Sequence, residues 1–245
     1  MTKAIILSAG QGRRLLPLTE NVPKAALLAG RQSILEWQLE ELSKTKTTEA
    51  VVVTGFGADQ IDQIVDRQSY IACRTFYNPF YSFSDNLGTC WVAREEMSAP
   101  YLLINGDTLF QRTIVSQLLE TRENLPITLV TDTKASYDED DMKVITNGNQ
   151  LARVGKKLDL DGHRVDGESI GMMRFNEEGA NLFKDKLNDM MRHDSGSNQW
   201  YLAAIDALAQ EGKVATCQID GSTWCEVDDI EDLALAKEVV SSWGK

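Results

Sequence analysis

The sequence predicts an α/β protein, a three-layer sandwich in which helices cover both faces of a mostly parallel central sheet. Short, continuous apolar runs at 4–7, 50–54 and 101–104 are typical of strands that are buried on both faces. Stretches with apolar residues every three or four positions lie between these runs, so strands alternate with helices. Near 142–154 two β-type runs flank an Asn-Gly pair, which indicates an antiparallel hairpin and with it a small antiparallel subdomain.

The elements of the first third follow one another in a parallel α/β order. Ser33 and Glu36 stand three positions apart at the start of a stretch with leucines on one helical face, a capping box that predicts where a helix begins. The apolar run 50–54 then ends at a glycine, and a second helical pattern follows it. A helix thus connects each strand to the next, and this order makes neighbouring strands parallel.

Length, charge and cysteine content limit the class of protein. A chain of 245 residues can bury one good core, so we expect a single domain over 1–245. The formal net charge of −12 argues against a nucleic-acid partner, since a phosphate backbone is held by clustered lysine and arginine. The four cysteines contain no C-x-x-C pair, which favours reduced thiols over a zinc site. Without a signal-peptide pattern or a membrane-spanning apolar run, we expect a cytoplasmic protein, monomeric or homodimeric, that does not insert into membranes.

The glycine loop after the first strand is the most informative feature for function. Gly10 and Gly12 leave backbone N–H groups unshielded by side chains. Arg13, Arg14 and, further along, Lys24 bring positive charge to a chain that is otherwise acidic. A dinucleotide-binding fingerprint needs a further glycine at position 15, and a P-loop needs Gly-Lys-Ser/Thr, so neither template fits. Taken alone, Gly-x-Gly after a strand is more often an ordinary tight turn than a phosphate site.

The longer string around this loop is more specific. The strand is followed by A-G-x-G-x-R-L-x-P-L-T at 9–19 and then by a Pro-Lys pair. Together they resemble the signature of the nucleotidyltransferases that make NDP-sugars and CDP-alcohols from an NTP and a phosphomonoester. The resemblance implies their Rossmann-like fold, with Arg14 and the loop amides on the triphosphate and Lys24 against the α-phosphate or the incoming phosphate. Arg13 stands where many members have Ser or Thr. The nucleotide-binding residues implied here are Leu7, Ala9, Gly10, Gly12, Arg13 and Arg14.

A second candidate segment for nucleotide binding is rich in aromatic residues, with six between 69 and 89. An irregular packed connection explains them, and so does a base pocket, because a nucleobase needs flat apolar walls. The segment ends in Leu87-Gly88-Thr89, which resembles the Leu-Gly-Thr-Ala of the sugar nucleotidyltransferases, where the glycine lies near the base. With Asn86 as a neighbouring candidate, the resemblance adds Gly88 and Thr89 to the nucleotide-binding residues.

Asp107 is a candidate metal ligand. It follows the strand 101–104, and ligands of parallel sheets gather at the carboxyl ends of strands. An aspartate at this point can also simply cap the next helix. Its Asn-Gly-Asp context resembles the strand-end Gly-Asp of the family, whose carboxylate binds Mg²⁺ together with phosphate oxygens.

A second acidic position lies in the pattern Trp-x-Glu-Val-Asp at 224–228. In a strand, Glu226 and Asp228 would face the same side while Val227 faces the core. A polar strand end before an acidic helix start explains the neighbouring acidic residues but not Glu226. The pattern resembles the second metal motif of the phosphocholine and inositol-phosphate cytidylyltransferases, which implies that Asp107, Glu226 and Asp228 bind one magnesium ion together.

Two features bear on the acceptor substrate. The acidic run 138–141 is most simply a solvated loop, but with Tyr137, Trp200 and Tyr201 it can instead bind a quaternary ammonium group. Trp200 and Tyr201 open a predicted helix, so ordinary packing competes for both. Gly-Glu-Ser-Ile-Gly at 167–171 resembles a motif of several cytidylyltransferases, which adds Glu168 to the acceptor-binding candidates.

These features predict a nucleotide-binding part over about 1–132, an acceptor-binding insertion over about 133–222, and a metal motif with its helix over 223–245. The predicted catalytic residues are Arg14, Lys24 and Asp107. The favoured hypothesis is a Mg²⁺-dependent cytidylyltransferase that joins CTP to phosphocholine or a similar small phosphoalcohol and releases pyrophosphate. The alternatives are a sugar-1-phosphate nucleotidylyltransferase that uses UTP, GTP or dTTP, and a non-catalytic regulatory domain that binds nucleotide or sugar phosphate.

Overall fold

A computed structural model of the chain describes residues 2–98, 100–121, 125–159, 162, 164–193, 196–219 and 224–243. Its strands are β1 (Thr2–Ser8), β2 (Leu28–Ala29), β3 (Gln32–Ser33), β4 (Thr47–Thr54), β5 (Ala72–Tyr77), β6 (Tyr101–Asn105), β7 (Thr108–Phe110), β8 (Ile127–Asp132), β9 (Lys143–Asn147), β10 (Gln150–Gly155), β11 (Gly167–Phe175), β12 (Val214–Gln218) and β13 (Trp224–Glu226). Its α-helices are α1 (Ile34–Ser43), α2 (Ala58–Arg67), α3 (Asn86–Val92), α4 (Arg112–Glu120), α5 (Glu177–Met190), α6 (Leu202–Gln210) and α7 (Ile230–Trp243). The predicted boundary at 222–223 lies outside the described residues.

Nine of these strands form one sheet, in the order β5-β4-β1-β6-β11-β8-β12-β10-β9. The neighbours among β5, β4, β1 and β6 are parallel, as the pattern of the first third predicts. β11, however, lies antiparallel between β6 and β8, so the sheet is mixed rather than mostly parallel. The described part of the chain between β8 and β11 contains no helix, and parallel neighbours need a crossover of that kind.

The predicted hairpin is present, with β9 and β10 antiparallel around a turn at Gly148, whose φ is 62°. Its strands do not form a sheet of their own. Instead, β10 pairs with β12, and β9 pairs with the start of β11, so the hairpin closes the end of the main sheet back on itself. The predicted antiparallel subdomain is therefore the curled edge of the central sheet.

Helices lie against both faces of this sheet because its central strands are apolar on both. In β1, Ala4 and Ile6 face a core formed with α1, α2 and α4, while Ile5 faces a core formed with α3, α5 and α6. α1 begins at the predicted capping box, where the Glu36 N–H donates to Ser33 Oγ and the Ser33 N–H donates to Glu36 Oε2. None of the helices among the described residues is long and apolar enough to cross a membrane.

A separate two-stranded sheet brings the C-terminal segment to the end of β6. β13 pairs antiparallel with β7, which places Glu226 opposite Thr108, the neighbour of Asp107. The Val227 N–H donates to the Asp107 carbonyl oxygen at 3.1 Å, and Val227 packs with Leu233 of α7 in a third apolar cluster. This pairing, which the sequence pattern does not predict, joins two acidic segments that lie far apart in the chain.

Candidate active site

The glycine loop, which contains Gly10 and Gly12, begins at the carboxyl end of β1. This end of β1 lies beside the end of β6. The Gly106 N–H donates to the Leu7 carbonyl oxygen at 3.0 Å, and a Cβ atom on Gly106 would lie 2.4 Å from that oxygen. Only glycine allows this close approach of two backbones. Asp107, the next residue, is thereby held beside the end of β1.

Gly12 gives the loop its turn and leaves room for Lys24. Its φ is 76°, in the left-handed region, and its carbonyl oxygen accepts a hydrogen bond from Thr19 Oγ1 at 2.7 Å. A Cβ atom at this position would lie 3.0 Å from Lys24 Cβ. The Lys24 side chain therefore packs directly against the loop, and only 14% of it is exposed.

Lys24 is the centre of what we call the charge cluster. Its Nζ donates to Asp107 Oδ2 at 2.9 Å and to Asp228 Oδ1 at 2.7 Å. Arg14 Nη2 lies 2.7 Å from the other Asp228 oxygen, Oδ2. Glu226 lies beside Asp107 and Asp228. The charge cluster comprises Arg14, Lys24, Asp107, Glu226 and Asp228, which are the residues that the resemblance links to phosphate and metal binding.

Burial and charge shift the pKa values of the charge cluster in opposite directions. Burial lowers the pKa of Lys24, but the carboxylates of Asp107 and Asp228 outweigh it and raise this pKa above its ordinary value. Burial raises the pKa of Asp228, yet Lys24 and Arg14 hold it below its ordinary value. Glu226 opens onto a cleft, but the surrounding protein atoms and the carboxylates of Asp107 and Asp228 raise its pKa to about 8. Three carboxyl groups thus lie with two cations, and the raised pKa of Glu226 keeps the net charge of the cluster close to zero near pH 7.

The carboxylates of Asp107, Glu226 and Asp228 fit a divalent cation. Each offers an oxygen, and these oxygens lie within 4.8 Å of one another. Oxygens bound to one Mg²⁺ at about 2.1 Å lie roughly 3 to 4 Å apart, so a small approach would close the site. Asp107 Oδ1 is buried without a hydrogen-bond partner among the described residues, and a cation would satisfy it.

Two sequence-based explanations of these acidic residues need correction. Helix capping does not explain Asp107, because Gln111 is the N-cap of α4. Strand alternation does not explain why Glu226 and Asp228 face the same cluster, because β13 ends at Glu226. Asp228 lies in the turn that follows, where its N–H donates to Asp232 Oδ2 at 2.9 Å. The turn rather than the strand directs its carboxylate.

A cavity of about 690 Å³, which we call the loop cavity, lies over the glycine loop and the start of α3. The predicted nucleotide-binding residues that line it are Leu7, Ala9, Gly10, Arg13, Asn86 and Thr89. Gly12 is not among the lining residues, since it packs on Lys24. Gly88 does not line the cavity either, because it packs against Ser84. A Cβ atom added to Gly88 would lie 2.6 Å from Ser84 Cβ. These two glycines shape the site without facing the loop cavity.

Four aromatic side chains, Phe56, Tyr81, Phe83 and Trp200, contribute apolar walls to the loop cavity. Tyr81 and Phe83 belong to the predicted aromatic segment, whose other four aromatic residues do not line the cavity. Phe56 follows β4 and is not a sequence candidate, because a single aromatic residue after a strand carries no periodic signal. Flat apolar walls beside the backbone of Ala9 and Gly10 and the charge of Arg13 suit a ligand with a planar ring and phosphates.

The acidic cleft, a second cavity of about 500 Å³, adjoins the loop cavity and shares Asn86 and Trp200 with it. Four members of the charge cluster line this cleft: Arg14, Asp107, Glu226 and Asp228. The two cavities can therefore hold two molecules side by side, with the charge cluster on the side of the acidic cleft. Such an arrangement suits a transfer of a group from one bound molecule to the other.

The acidic run 138–141 is largely exposed to solvent, as expected of a solvated loop, and Asp138, Asp140 and Asp141 also line the cleft. Asp140 lies 2.9 Å from Lys156 Nζ and 3.3 Å from Arg14 Nη1. Lys156 Nζ in turn lies 4.5 Å from the centre of the Trp200 ring. The Trp200 side chain, with the residue 41% exposed, thus already presents its ring face to a cation.

The other acceptor-binding candidates differ in position. Glu168 lines the cleft and pairs with Lys134 at 3.0 Å, and burial raises its pKa to about 6. Tyr201 lines the cleft but is only 1% exposed, and its hydroxyl donates to a side-chain oxygen at the end of β6 at 2.8 Å, so packing explains most of it. Tyr137 lies outside the lining of both cavities, and its hydroxyl accepts from the Lys134 N–H. Of these three predicted aromatic residues, Trp200 is the one that is both exposed and part of the cleft lining.

Comparison with known proteins identifies the family that has these features. Residues 3–130 match the family model of the nucleotidyl transferases. The choline-phosphate cytidylyltransferase of Streptococcus pneumoniae is 30% identical over 109 residues, which are 44% of this chain and 46% of that protein. The CTP:phosphoglutamine cytidylyltransferase of Campylobacter jejuni is 24% identical over 254 residues, which are 96% of this chain and 99% of that protein. The match therefore spans less than half of the first relative and nearly all of the second.

Solved structures share the fold at low identity. The inositol-1-phosphate CTP transferase of T. maritima superimposes with a TM-score of 0.81 at 18% identity, over 98% of this chain and 94% of that one. This likeness confirms the α/β nucleotidyltransferase fold that the motif at 9–19 implies. Because the family model also covers just over half of its length, the chain belongs to the nucleotidyl transferase family of enzymes.

Proposed function

We propose that the protein is a Mg²⁺-dependent cytidylyltransferase that joins CTP to a small phosphoalcohol such as phosphocholine, giving a CDP-alcohol and pyrophosphate. The observation that carries this proposal is the charge cluster, in which Lys24 lies between Asp107 and Asp228 beside two adjoining cavities. The cytidylyltransferases among the relatives support CTP as the nucleotide. In this proposal, the part over about 1–132 binds nucleotide, 133–222 binds acceptor and 223–245 completes the metal site.

The chemical difficulty of this reaction is that it brings two anions together. An oxygen of the acceptor phosphate attacks the α-phosphorus of the nucleotide, the bond from that phosphorus to the bridging β-oxygen breaks, and pyrophosphate leaves. A phosphomonoester dianion is already a nucleophile, so no side chain has to remove a proton. The amides of the glycine loop, Arg14 and Lys24 neutralise charge on the transferring and leaving phosphates. A magnesium ion held by the three carboxylates of the charge cluster supplies Lewis-acid stabilisation of that charge.

The acidic cleft supports an acceptor that carries a positive charge. Four carboxylates line it, those of Asp138, Asp140, Asp141 and Glu168. Two lysines, Lys134 and Lys156, neutralise only part of this charge. The Trp200 ring already accepts the Lys156 ammonium on its face, and an acceptor ammonium can take that position. A phosphoalcohol with a cationic group therefore matches the cleft in charge.

A sugar-1-phosphate nucleotidylyltransferase is the second candidate. The observation that favours it is Leu87-Gly88-Thr89 in the first turns of α3, with Thr89 lining the loop cavity. A non-catalytic regulatory domain is disfavoured, because the charge cluster keeps three carboxylates that could hold a metal ion. These alternatives differ in the substrates that they turn over.

Pyrophosphate release over a panel of substrates separates the candidates. In a panel of CTP, UTP, GTP and dTTP against phosphocholine, phosphoethanolamine, inositol 1-phosphate and glucose 1-phosphate, we expect the highest kcat/KM for CTP with one of the two acceptors that carry a cationic group. As a control, EDTA should abolish the activity and excess Mg²⁺ should restore it. A preference for UTP or dTTP with glucose 1-phosphate would select the second candidate, and nucleotide binding without any turnover would select the regulatory domain.

Replacement of Lys24 tests the role of the charge cluster in the reaction. We expect Lys24→Ala to lower kcat/KM by about 100-fold or more, the usual loss when a fixed group that stabilises developing charge is removed. Lys186→Ala is the control, because Lys186 pairs with Glu211 on a different part of the surface at 2.8 Å, and it should leave kcat/KM unchanged. Circular dichroism checks that both variants are folded. Full activity in Lys24→Ala would refute the proposed mechanism.

The contact between Gly12 and Lys24 gives a second test, in which Gly30 is the control. Both glycines have positive φ, 76° and 83°, so an alanine at either position should cost about 1 to 2 kcal/mol of unfolding free energy. An added Cβ on Gly12 meets the Lys24 side chain at 3.0 Å, whereas one on Gly30 meets nothing within 4 Å. We therefore expect kcat/KM to fall about tenfold or more in Gly12→Ala, because Lys24 is displaced, and to stay near the wild-type value in Gly30→Ala. Equal activity in the two variants would contradict this role for Gly12.

A further inference from the structure

The carboxylate of Asp228 has both oxygens bonded to cations of the chain itself. Oδ1 lies 2.7 Å from Lys24 Nζ, and Oδ2 lies 2.7 Å from Arg14 Nη2. Lys24 Nζ also bonds Asp107 Oδ2 at 2.9 Å, so Asp107 Oδ1 is left buried without a partner among the described residues. Asp107 therefore has an oxygen ready for a metal ion, whereas a metal ion that binds Asp228 competes with Lys24 or Arg14 for an oxygen that is already paired.

A displaced cation needs a new anion. Only 14% of the Lys24 side chain is exposed, and a charge this far buried is costly when it loses its ion pair. Arg14 has a second carboxylate, Asp140, at 3.3 Å, but that group is already bonded to Lys156. Because Lys24 packs on Gly12, phosphates held by the glycine loop would lie next to it. A nucleotide thus supplies the anion that makes the displacement favourable.

We propose that Lys24 and Arg14 are resident counter-ions of the metal-binding carboxylates and move to the phosphates of the nucleotide, so that metal and nucleotide strengthen each other's binding. This role rests on the proposed function, since it takes Asp107, Glu226 and Asp228 as the metal ligands. By linkage, the factor by which nucleotide raises metal affinity equals the factor by which metal raises nucleotide affinity. The metal ion alone binds weakly, because it competes with two cations that belong to the chain.

Mn²⁺ binding to the protein without nucleotide tests this role, with free Mn²⁺ measured by its EPR signal. We expect Lys24→Met to bind Mn²⁺ roughly tenfold or more tightly than the wild type, because Asp107 and Asp228 lose the cation that competes with the metal. A double variant that adds Asp107→Asn should lose this gain, which assigns the bound Mn²⁺ to the charge cluster.

Lys156→Met is the matched control. It also removes a lysine beside the acidic cleft, but this lysine pairs with Asp140 rather than with a proposed metal ligand. Its loss changes the net charge of the cleft, but no carboxylate of the proposed metal site loses a paired cation. The Mn²⁺ affinity should therefore change by about twofold at most in 0.15 M salt.

Each outcome has a defined meaning. The counter-ion role is overturned if the wild type binds Mn²⁺ as tightly as Lys24→Met, or if Lys24→Met binds it no more tightly than Lys156→Met. Should Lys24→Met lack the thermal transition of the wild type, Arg14→Met gives the same comparison through the other oxygen of Asp228. If no variant binds Mn²⁺ even with α,β-methylene-CTP present, the proposed metal site itself is wrong, and the proposed function fails with it.

Discussion

The ion pairs of Lys24 with Asp107 and Asp228 are the interaction on which the site depends. They join three segments that are far apart in the chain: the loop region after β1, the end of β6 and the turn after β13. Each group is largely buried, and a buried charge is tolerated only when its partners are in place. The pairing of β7 with β13 therefore matters to the chemistry as much as to the fold, because it brings Asp228 to the other two residues.

The charges of this cluster explain how the proposed reaction can bring two anions together. Two phosphate-bearing substrates repel each other, so a site that joins them must supply positive charge where their phosphates meet. In the proposed reaction Arg14 and Lys24 supply this charge, and the structure pairs them with carboxylates of the charge cluster. The cluster is close to neutral by itself and gains positive charge when a divalent ion binds. The same residues can thus be stable without substrate and attractive to anions once the metal is bound.

Much of this site follows from local sequence patterns, and the rest depends on contacts over long distances. Two local patterns, the apolar run before Asp107 and the glycine loop after β1, predict that these strand ends lie at the same edge of the sheet. The reason is that parallel strands share one carboxyl edge. The pairing of β7 with β13 has no such signal, because three-residue strands are too short to show a period. The antiparallel placement of β11 is likewise decided by its neighbours. Phe56 and the burial of Tyr201 depend on how loops and α6 pack, which no short pattern encodes.

A crystal structure with Mn²⁺ and α,β-methylene-CTP tests the central claim most directly, because manganese is located by its anomalous scattering. The account predicts one manganese ion bound to Asp107 and Asp228 oxygens, with Lys24 Nζ moved from Asp228 to an oxygen of the triphosphate. It is contradicted if manganese and the triphosphate bind away from the charge cluster while Lys24 keeps both of its carboxylate partners.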